Sequence, residues 1–402
     1  MVNVASPELI AQVIQQEGRY PVRIELPHWK EYRDLRGQAY GLHVDLIQRN
    51  SNSLLWFCST GPEWYRIRSV LNPKMLKLQE VSAFAPIIHQ VVGDLLGRVE
   101  LLRSRSQDQA TVSDLAAELY KFGFEAILFE TRLGCLQEEI PEDTLRFITA
   151  VNNMLTLSDV VILLPRWSRS ILPFWRRFVQ AWDDLYDVGM SLQKWNSNST
   201  FVCSGEPAEG MYLTYLLSSD KLSRAEVYIS VTELMLGGVD TKEKDTNPES
   251  WQKVVILITI SDQACRCGSS CVFQAGAVQM CGSRVTIFHL CHYAASHDEA
   301  EFANAEEFIP ERWLNVEPPK SHGGRANPGF YQHHPYSFIP FGVGVRACVG
   351  KRLAEMEMHF ALSRLIQHYK VESEDGAPVV EPKTRTLLIP SKPINLRFLP
   401  RT

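Results

Sequence analysis

Residues 338 to 352 read FIPFGVGVRACVGKR, and the chemistry this stretch offers centres on Cys348. An apolar entry, Phe338-Ile339-Pro340-Phe341, leads into a loop with glycines at 342, 344 and 350 and an arginine at 346. Val349, Leu353, Met356 and Phe360 then recur at spacings of four, three and four, one face of a 3.6-residue period. The cysteine therefore stands just before or at a helix N-terminus. Backbone N–H groups and the helix dipole there favour a thiolate, and Arg346 adds positive charge. Glycines let a flat ligand lie against bare backbone and permit dihedrals closed to other residues. A sheltered thiolate faced by a flat surface suits a haem iron. A structural cysteine in a glycine-rich turn explains the thiol but leaves the arginine and the glycines without a reason.

Two other groupings must be brought to that loop if it is a site. Trp64 and Arg68, spaced W-x-x-x-R, share one face of a helix; alone the pair is a weak signal, because Trp and Arg often share a helix surface. Within KLSRAEVYISVTELMLGGVDT (221–241), Ser223 followed by Glu226 reads as an N-cap and third helical residue. Val231, Leu234, Met235 and Gly238 mark one face of the helix that follows. It reaches Gly237-Gly238-Val239-Asp240-Thr241, where each glycine costs roughly 1 kcal/mol in a helix interior. The plain alternative is a helix that stops at Gly-Gly in a turn.

The elements around these groupings are mostly helical. Val2 to Ala5 reads as a short strand and Pro7 to Gln16 as a helix. Pro73 is expected to end the helix carrying Trp64 and Arg68. Residues 80 to 190 are helix-rich, with a turn from Gly134-Cys135 and a helix start at Pro141-Glu142-Asp143. Residues 160 to 178, VVILLPRWSRSILPFWRRF, read as helix-loop-helix covering the core, or as a substrate-access loop dipping into a membrane surface. The fold class is mainly α with a small β region, in one domain.

Composition is ordinary for a globular chain: 402 residues, 45% hydrophobic and 22% charged, with net charge −5. No basic block with interleaved aromatics points to nucleic acid. Nine cysteines without disulfide-like spacing argue for a reducing compartment. Cys265, Cys267, Cys271 and Cys281 fit no common zinc spacing. There is no signal-like leader and no apolar run long enough to span a bilayer; the chain is soluble, or its targeting segment is missing from it.

Phe341-x-x-Gly344-x-Arg346-x-Cys348-x-Gly350 matches the haem-binding signature of the cytochrome P-450 superfamily at every fixed position. The flanking sequence resembles the mitochondrial class, especially the sterol side-chain and vitamin D hydroxylases, from Glu17-Gly18-Arg19-Tyr20-Pro21-Val22-Arg23 through the C-terminal strands. The resemblance covers about three-quarters of the chain, by an alignment-free reading. It implies haem b with Cys348 as the iron's thiolate ligand, Phe341 and Gly350 in the haem loop, and Arg346, Trp64 and Arg68 on the propionates. It implies that Gly237-Gly238 opens the central helix for O2 and that Asp240 and Thr241 handle protons. The implied activity is monooxygenation of a lipophilic substrate, a sterol or vitamin D-type secosteroid. Electrons would come from a ferredoxin of the adrenodoxin type, docked near Lys351 and Arg352. Location would be the mitochondrial inner membrane, matrix side, through peripheral membrane contact. Arg284 resembles a further propionate-contacting arginine, and Pro310-Glu311-Arg312-Trp313 the element whose arginine locks onto an E-x-x-R pair.

Three stretches depart from the family, at about 45–60, 191–208 and 242–283. The last holds no E-x-x-R, so Arg312 lacks its expected carboxylate; breaking such a buried pair costs roughly 3–5 kcal/mol. The alternative implied is a catalytically inactive truncated or splice product of such a gene, lacking the bracing helix.

Overall fold

The computed structural model describes residues 2–21, 27–42, 61–125, 132–198, 212–240, 277–281, 284–307, 309, 333–373, 380, 382–385 and 387–401. The 45–60 stretch lies outside the described residues, as do most of 191–208 and 242–283.

Strand β1 (Val2–Val4) precedes α1 (Pro7–Gln15), which begins where Ser6 caps it: the Leu9 N–H donates to the Ser6 hydroxyl at 3.4 Å, and Pro7 presets the first-turn dihedral. Helix α2 (Pro27–Arg36) is followed by α3 (Gly61–Leu76). Helix α3 does not end at Pro73; it continues for three more residues. A proline inside a helix costs about 3 kcal/mol. Leu71 and Met75 on either side are buried, and each contributes about 1.5–3 kcal/mol on burial, enough to hold the last turn.

Next come α4 (Leu78–Ser82), α5 (Ala85–Arg105), β2 (Thr111–Val112), α6 (Leu115–Glu125) and α7 (Glu142–Val161). A short 3-10 turn, Arg166–Ser170, links α7 to α8 (Pro173–Asn198). Helices α9 (Tyr212–Leu217) and α10 (Arg224–Asp240) follow. The start of α10 is a reciprocal capping box: the Glu226 N–H donates to Ser223 Oγ at 3.3 Å, and the Ser223 N–H donates to Glu226 Oε2 at 2.8 Å. After β3 (Ala277–Cys281) and β4 (Arg284–Leu290) come α11 (His292–Ser296) and α12 (Lys351–His368). Strands β5 (Tyr369–Ser373), β6 (Pro382–Arg385), β7 (Leu387–Pro390) and β8 (Leu396–Pro400) close the chain.

The architecture is mainly α with a small β region, as expected. Helix α7 lies along α8, α10 packs on α6, α8 and α9, and α12 packs on α5 and α3. Among the described strands, β1 runs parallel to β4 with β3 antiparallel on its other side, β8 lies between β2 and β5, and β6 pairs with β7. On α12 the buried stripe is Leu353, Glu357, Ala361 and Leu365, while Met356 and Phe360 lie at its edge. The face is turned by about one position from the expected one because α12 is wedged between α3 and α5.

Helix α2 is clamped from three sides. The Trp29 indole N–H donates to Ser158 Oγ on α7 at 3.0 Å, and Tyr32 stacks on Trp182 of α8 with ring centroids 5.3 Å apart. Arg33 pairs with Glu233 of α10 at 3.3 Å, both fully buried. The chain after α2 then passes so close to α10 that a side chain at Gly41 would run into the Glu233 carboxylate.

Candidate functional site

Helix α12 resting on α3 brings the cysteine loop onto the face that carries Trp64 and Arg68. The loop is built from its own backbone. The Gly342 N–H donates to Ile339 O at 2.9 Å, Ala347 N–H to Gly344 O at 3.2 Å, and Cys348 N–H to Phe341 O at 2.8 Å. Gly342 and Gly344 have φ of 63° and 77°, the left-handed region that glycine enters without strain. Gly350 is different. Its φ is −83°, open to any residue, and a Cβ there would sit 4.0 Å from the Cys348 sulfur, an ordinary contact. What it offers is its N–H, which hydrogen-bonds the thiol.

The Cys348 thiol is held above its ordinary pKa. Burial is the main cause; the Gly350 N–H, Arg68 and Lys351 pull the other way, and Glu355 adds to the rise. The helix start favours a thiolate as expected, through the Gly350 N–H; burial of the free thiol outweighs it, and the guanidinium that acts on the sulfur is Arg68, not Arg346. A bound metal reverses that balance, because a coordinating thiol is deprotonated outright.

Arg346 stacks on Trp64, its Cζ 3.7 Å from the ring centroid, and its Nη2 donates to Pro21 O at 3.3 Å. Arg68 lies on the same indole at 5.9 Å. Trp64 is 2% exposed and Arg68 6%. The Arg68 Nε donates to Asn72 Oδ1 at 2.5 Å, and its Nη2 to Ala347 O at 2.5 Å. Both acceptors are neutral, and Arg68 has no carboxylate partner among the described residues. Burial, reinforced by Arg346, lowers its pKa to about 10, against the pull of Cys348 and Tyr212. A buried and a half-buried guanidinium flanking one indole, Arg68 and Arg346, are a receptor for a carboxylate.

Phe341 lines the loop, with Lys351 Nζ 5.7 Å from its ring centroid. The structure thus brings together Trp64, Arg68, Phe341, Arg346, Cys348 and Gly350. Asp240 is the last residue of α10, and Thr241 lies outside the described residues. Arg284 opens β4, while Arg312 and Trp313 lie outside the described residues. Two participants were not read from the sequence. Asn72 stands four residues after Arg68, so helical spacing alone could have found it. Tyr212, which shares the buried core with Trp64, has no local signal connecting it to α3.

The family model for cytochrome P-450 matches residues 1–243 and 282–398. The chain is 34% identical to "Sterol 26-hydroxylase, mitochondrial" of Rattus norvegicus over 448 aligned residues, covering 100% of this chain and 80% of the relative. It is 33% identical to the Homo sapiens protein of the same name, over 100% of this chain and 80% of that one. It is 32% identical to Homo sapiens "25-hydroxyvitamin D-1 alpha hydroxylase, mitochondrial" over 100% of this chain and 83% of that one. An alignment of 448 positions for a 402-residue chain means that the rat relative carries residues with no counterpart here. The crystal structure of the cytochrome P450DA heme domain matches with a TM-score of 0.63 at 17% identity, covering 100% of this chain and 88% of that one; this is a likeness of fold. The chain belongs to the cytochrome P-450 family.

That family uses haem held by a cysteine thiolate. The residues here fit the group: a thiol beside a bare glycine-rich loop, and a buried cation whose only acceptors among the described residues are neutral oxygens.

Proposed function

We propose that this chain is a haem-thiolate monooxygenase that hydroxylates a sterol or a vitamin D-type secosteroid. One observation carries the reading. Arg68 Nη2 reaches the Ala347 carbonyl, one residue from Cys348 and 279 positions away in sequence, so thiol and carboxylate receptor share one wall. Cys348 would ligate the iron, Arg68, Arg346 and Trp64 would hold the propionates, and Phe341 and Gly350 would complete the loop. Bound haem supplies oxygen activation, the electron-rich thiolate favouring O–O cleavage. Asp240 and Thr241 would hold and pass the protons that this chemistry consumes. The relatives' names supply the substrate class and the mitochondrial setting.

Two surfaces support the partners. Between α7 and α8, Leu163, Trp167 and Ile171 are 82%, 72% and 73% exposed, beside the exposed Arg166; Arg169 is turned inward onto Glu31. Apolar and aromatic side chains with a basic neighbour suit the interface of a membrane, here the inner mitochondrial membrane from its matrix side. No helix among the described residues is long and apolar enough to cross a membrane. At the start of α12, Lys351 and Arg352 stand near the cysteine loop, where an acidic ferredoxin of the adrenodoxin type would dock. Both also pair with Glu355, at 3.6 and 3.0 Å, which tempers the positive field.

The second reading is an inactive member of the family, favoured by the lack of an E-x-x-R between Thr241 and Ser283. One experiment separates the two. The chain is expressed with haem precursor, reduced, and exposed to carbon monoxide. The enzyme reading expects a red-shifted Soret band typical of thiolate ligation, abolished in Cys348→Ala. No haem uptake, or a band typical of a protonated or displaced cysteine, favours the inactive reading.

A further inference from the structure

Tyr212 opens α9 and is 1% exposed, yet among the described residues its hydroxyl has no hydrogen-bond partner. Buried hydroxyls in folded proteins nearly always have one. Helix α9 is moored along α3: the Tyr215 hydroxyl donates to Val70 O at 3.3 Å, and Lys74 Nζ lies 5.3 Å from the Tyr215 ring centroid. One helical turn earlier on the same helix, which packs on α3, Tyr212 feels the charge of Arg68. Arg68 is itself a buried cation that among the described residues is met only by neutral oxygens. A buried hydroxyl without an acceptor and a buried cation without an anion among the described residues, on two helices packed together, are complementary to a single carboxylate. We propose that the Tyr212 hydroxyl donates to the same haem propionate that Arg68 holds, making it a further positioning residue for the cofactor. The inference rests on the haem reading above.

The carboxylate would accept both donors without moving either helix, because α9 is already moored on α3 through Tyr215. Tyr212→Phe keeps the ring and removes only the hydroxyl. Two opposite effects follow. The haem-free variant should melt no lower than the haem-free wild type, since a buried hydroxyl without a partner has gone. Haem loss to excess apomyoglobin should be about tenfold faster, the size of one charge-assisted hydrogen bond. Loading with haem dimethyl ester, which has no free carboxylate, should erase the difference between variant and wild type. Equal loss rates with free haem would overturn the proposal. So would a variant that sheds haem and its dimethyl ester equally faster, which would mark a packing role. A lower melting point of the haem-free variant, with unchanged haem loss, would mean that an ordered water satisfies the hydroxyl and would overturn it too. Failure of the wild type to take up haem would sink the haem reading and this inference together, and is visible before any variant is compared.

Discussion

His28 shows at the residue scale what burial does to a titratable group. It sits on α2 against Trp29 and Phe178, with ring centroids 6.4 and 5.4 Å away, and among the described residues neither ring nitrogen has a hydrogen-bond partner. Burial first, and then the positive charge of Arg169, hold its pKa down at about 4. In the unfolded chain the imidazole titrates near 6.5, as model histidines do. Above that pH both states are neutral at this position and its contribution to stability is fully present. As pH falls from about 6.5 to about 4, the unfolded chain takes a proton that the folded chain refuses. Stability should drop by about 3 kcal/mol across that window. Urea midpoints at pH 7.5 and pH 5 read about 2 kcal/mol of that loss; in His28→Phe the part due to this residue should vanish. An unchanged pH dependence in the variant would place the acid sensitivity elsewhere.

At the element scale, the start of α10 matters beyond its own helix. The Ser223–Glu226 box satisfies two N–H groups that no helix can satisfy internally. Glu226 also pairs with Arg66 of α3 at 2.5 Å, and Arg66 donates to the Lys221 carbonyl. The cap therefore fixes where the central helix meets the helix that carries Trp64 and Arg68. Ser223→Ala should cost about 1 kcal/mol by urea denaturation. Glu226→Ala should cost more, because it removes the cap and the link to α3 together. If Glu226→Ala cost no more than Ser223→Ala, the ion pair would be a surface pair of negligible worth. Helix α2 is tied into the same assembly through the buried Arg33–Glu233 pair, whose carboxylate lies two helical turns before Asp240.

For the whole molecule, the membrane role proposed for the apolar surface between α7 and α8 is open to test. Leu163 and Trp167 contribute nothing to the core, so replacing both by Asn should leave folding and the carbon monoxide spectrum unchanged. Fully burying one such side chain is worth about 1.5–3 kcal/mol, so the double variant should partition onto anionic vesicles at least tenfold less in a flotation assay. Undiminished flotation would remove the membrane role from this loop.

Much of the site was legible from short stretches, and for one reason: the forces concerned act over a few residues. The left-handed dihedrals at Gly342 and Gly344, the cap at Ser223, the shared face of Trp64 and Arg68 and the position of Cys348 ahead of α12 all follow from local backbone rules. The proline at 73 was misread because the packing of Leu71 and Met75, which overrides the local rule, is a tertiary matter. The same holds for Cys348, whose neighbours in sequence favour a thiolate while its surroundings in space disfavour one. Only the tertiary structure decided that Arg346 stacks on Trp64, that Arg68 reaches Ala347, that the helix of Tyr212 packs on the helix of Arg68 and that Arg33 meets Glu233. Each of these joins elements far apart along the chain, and which partner a buried charge or hydroxyl finds is set by how whole helices pack. By itself the sequence determined what the chemistry is made of; the packing of α3, α9 and α12 decided which side chains share it.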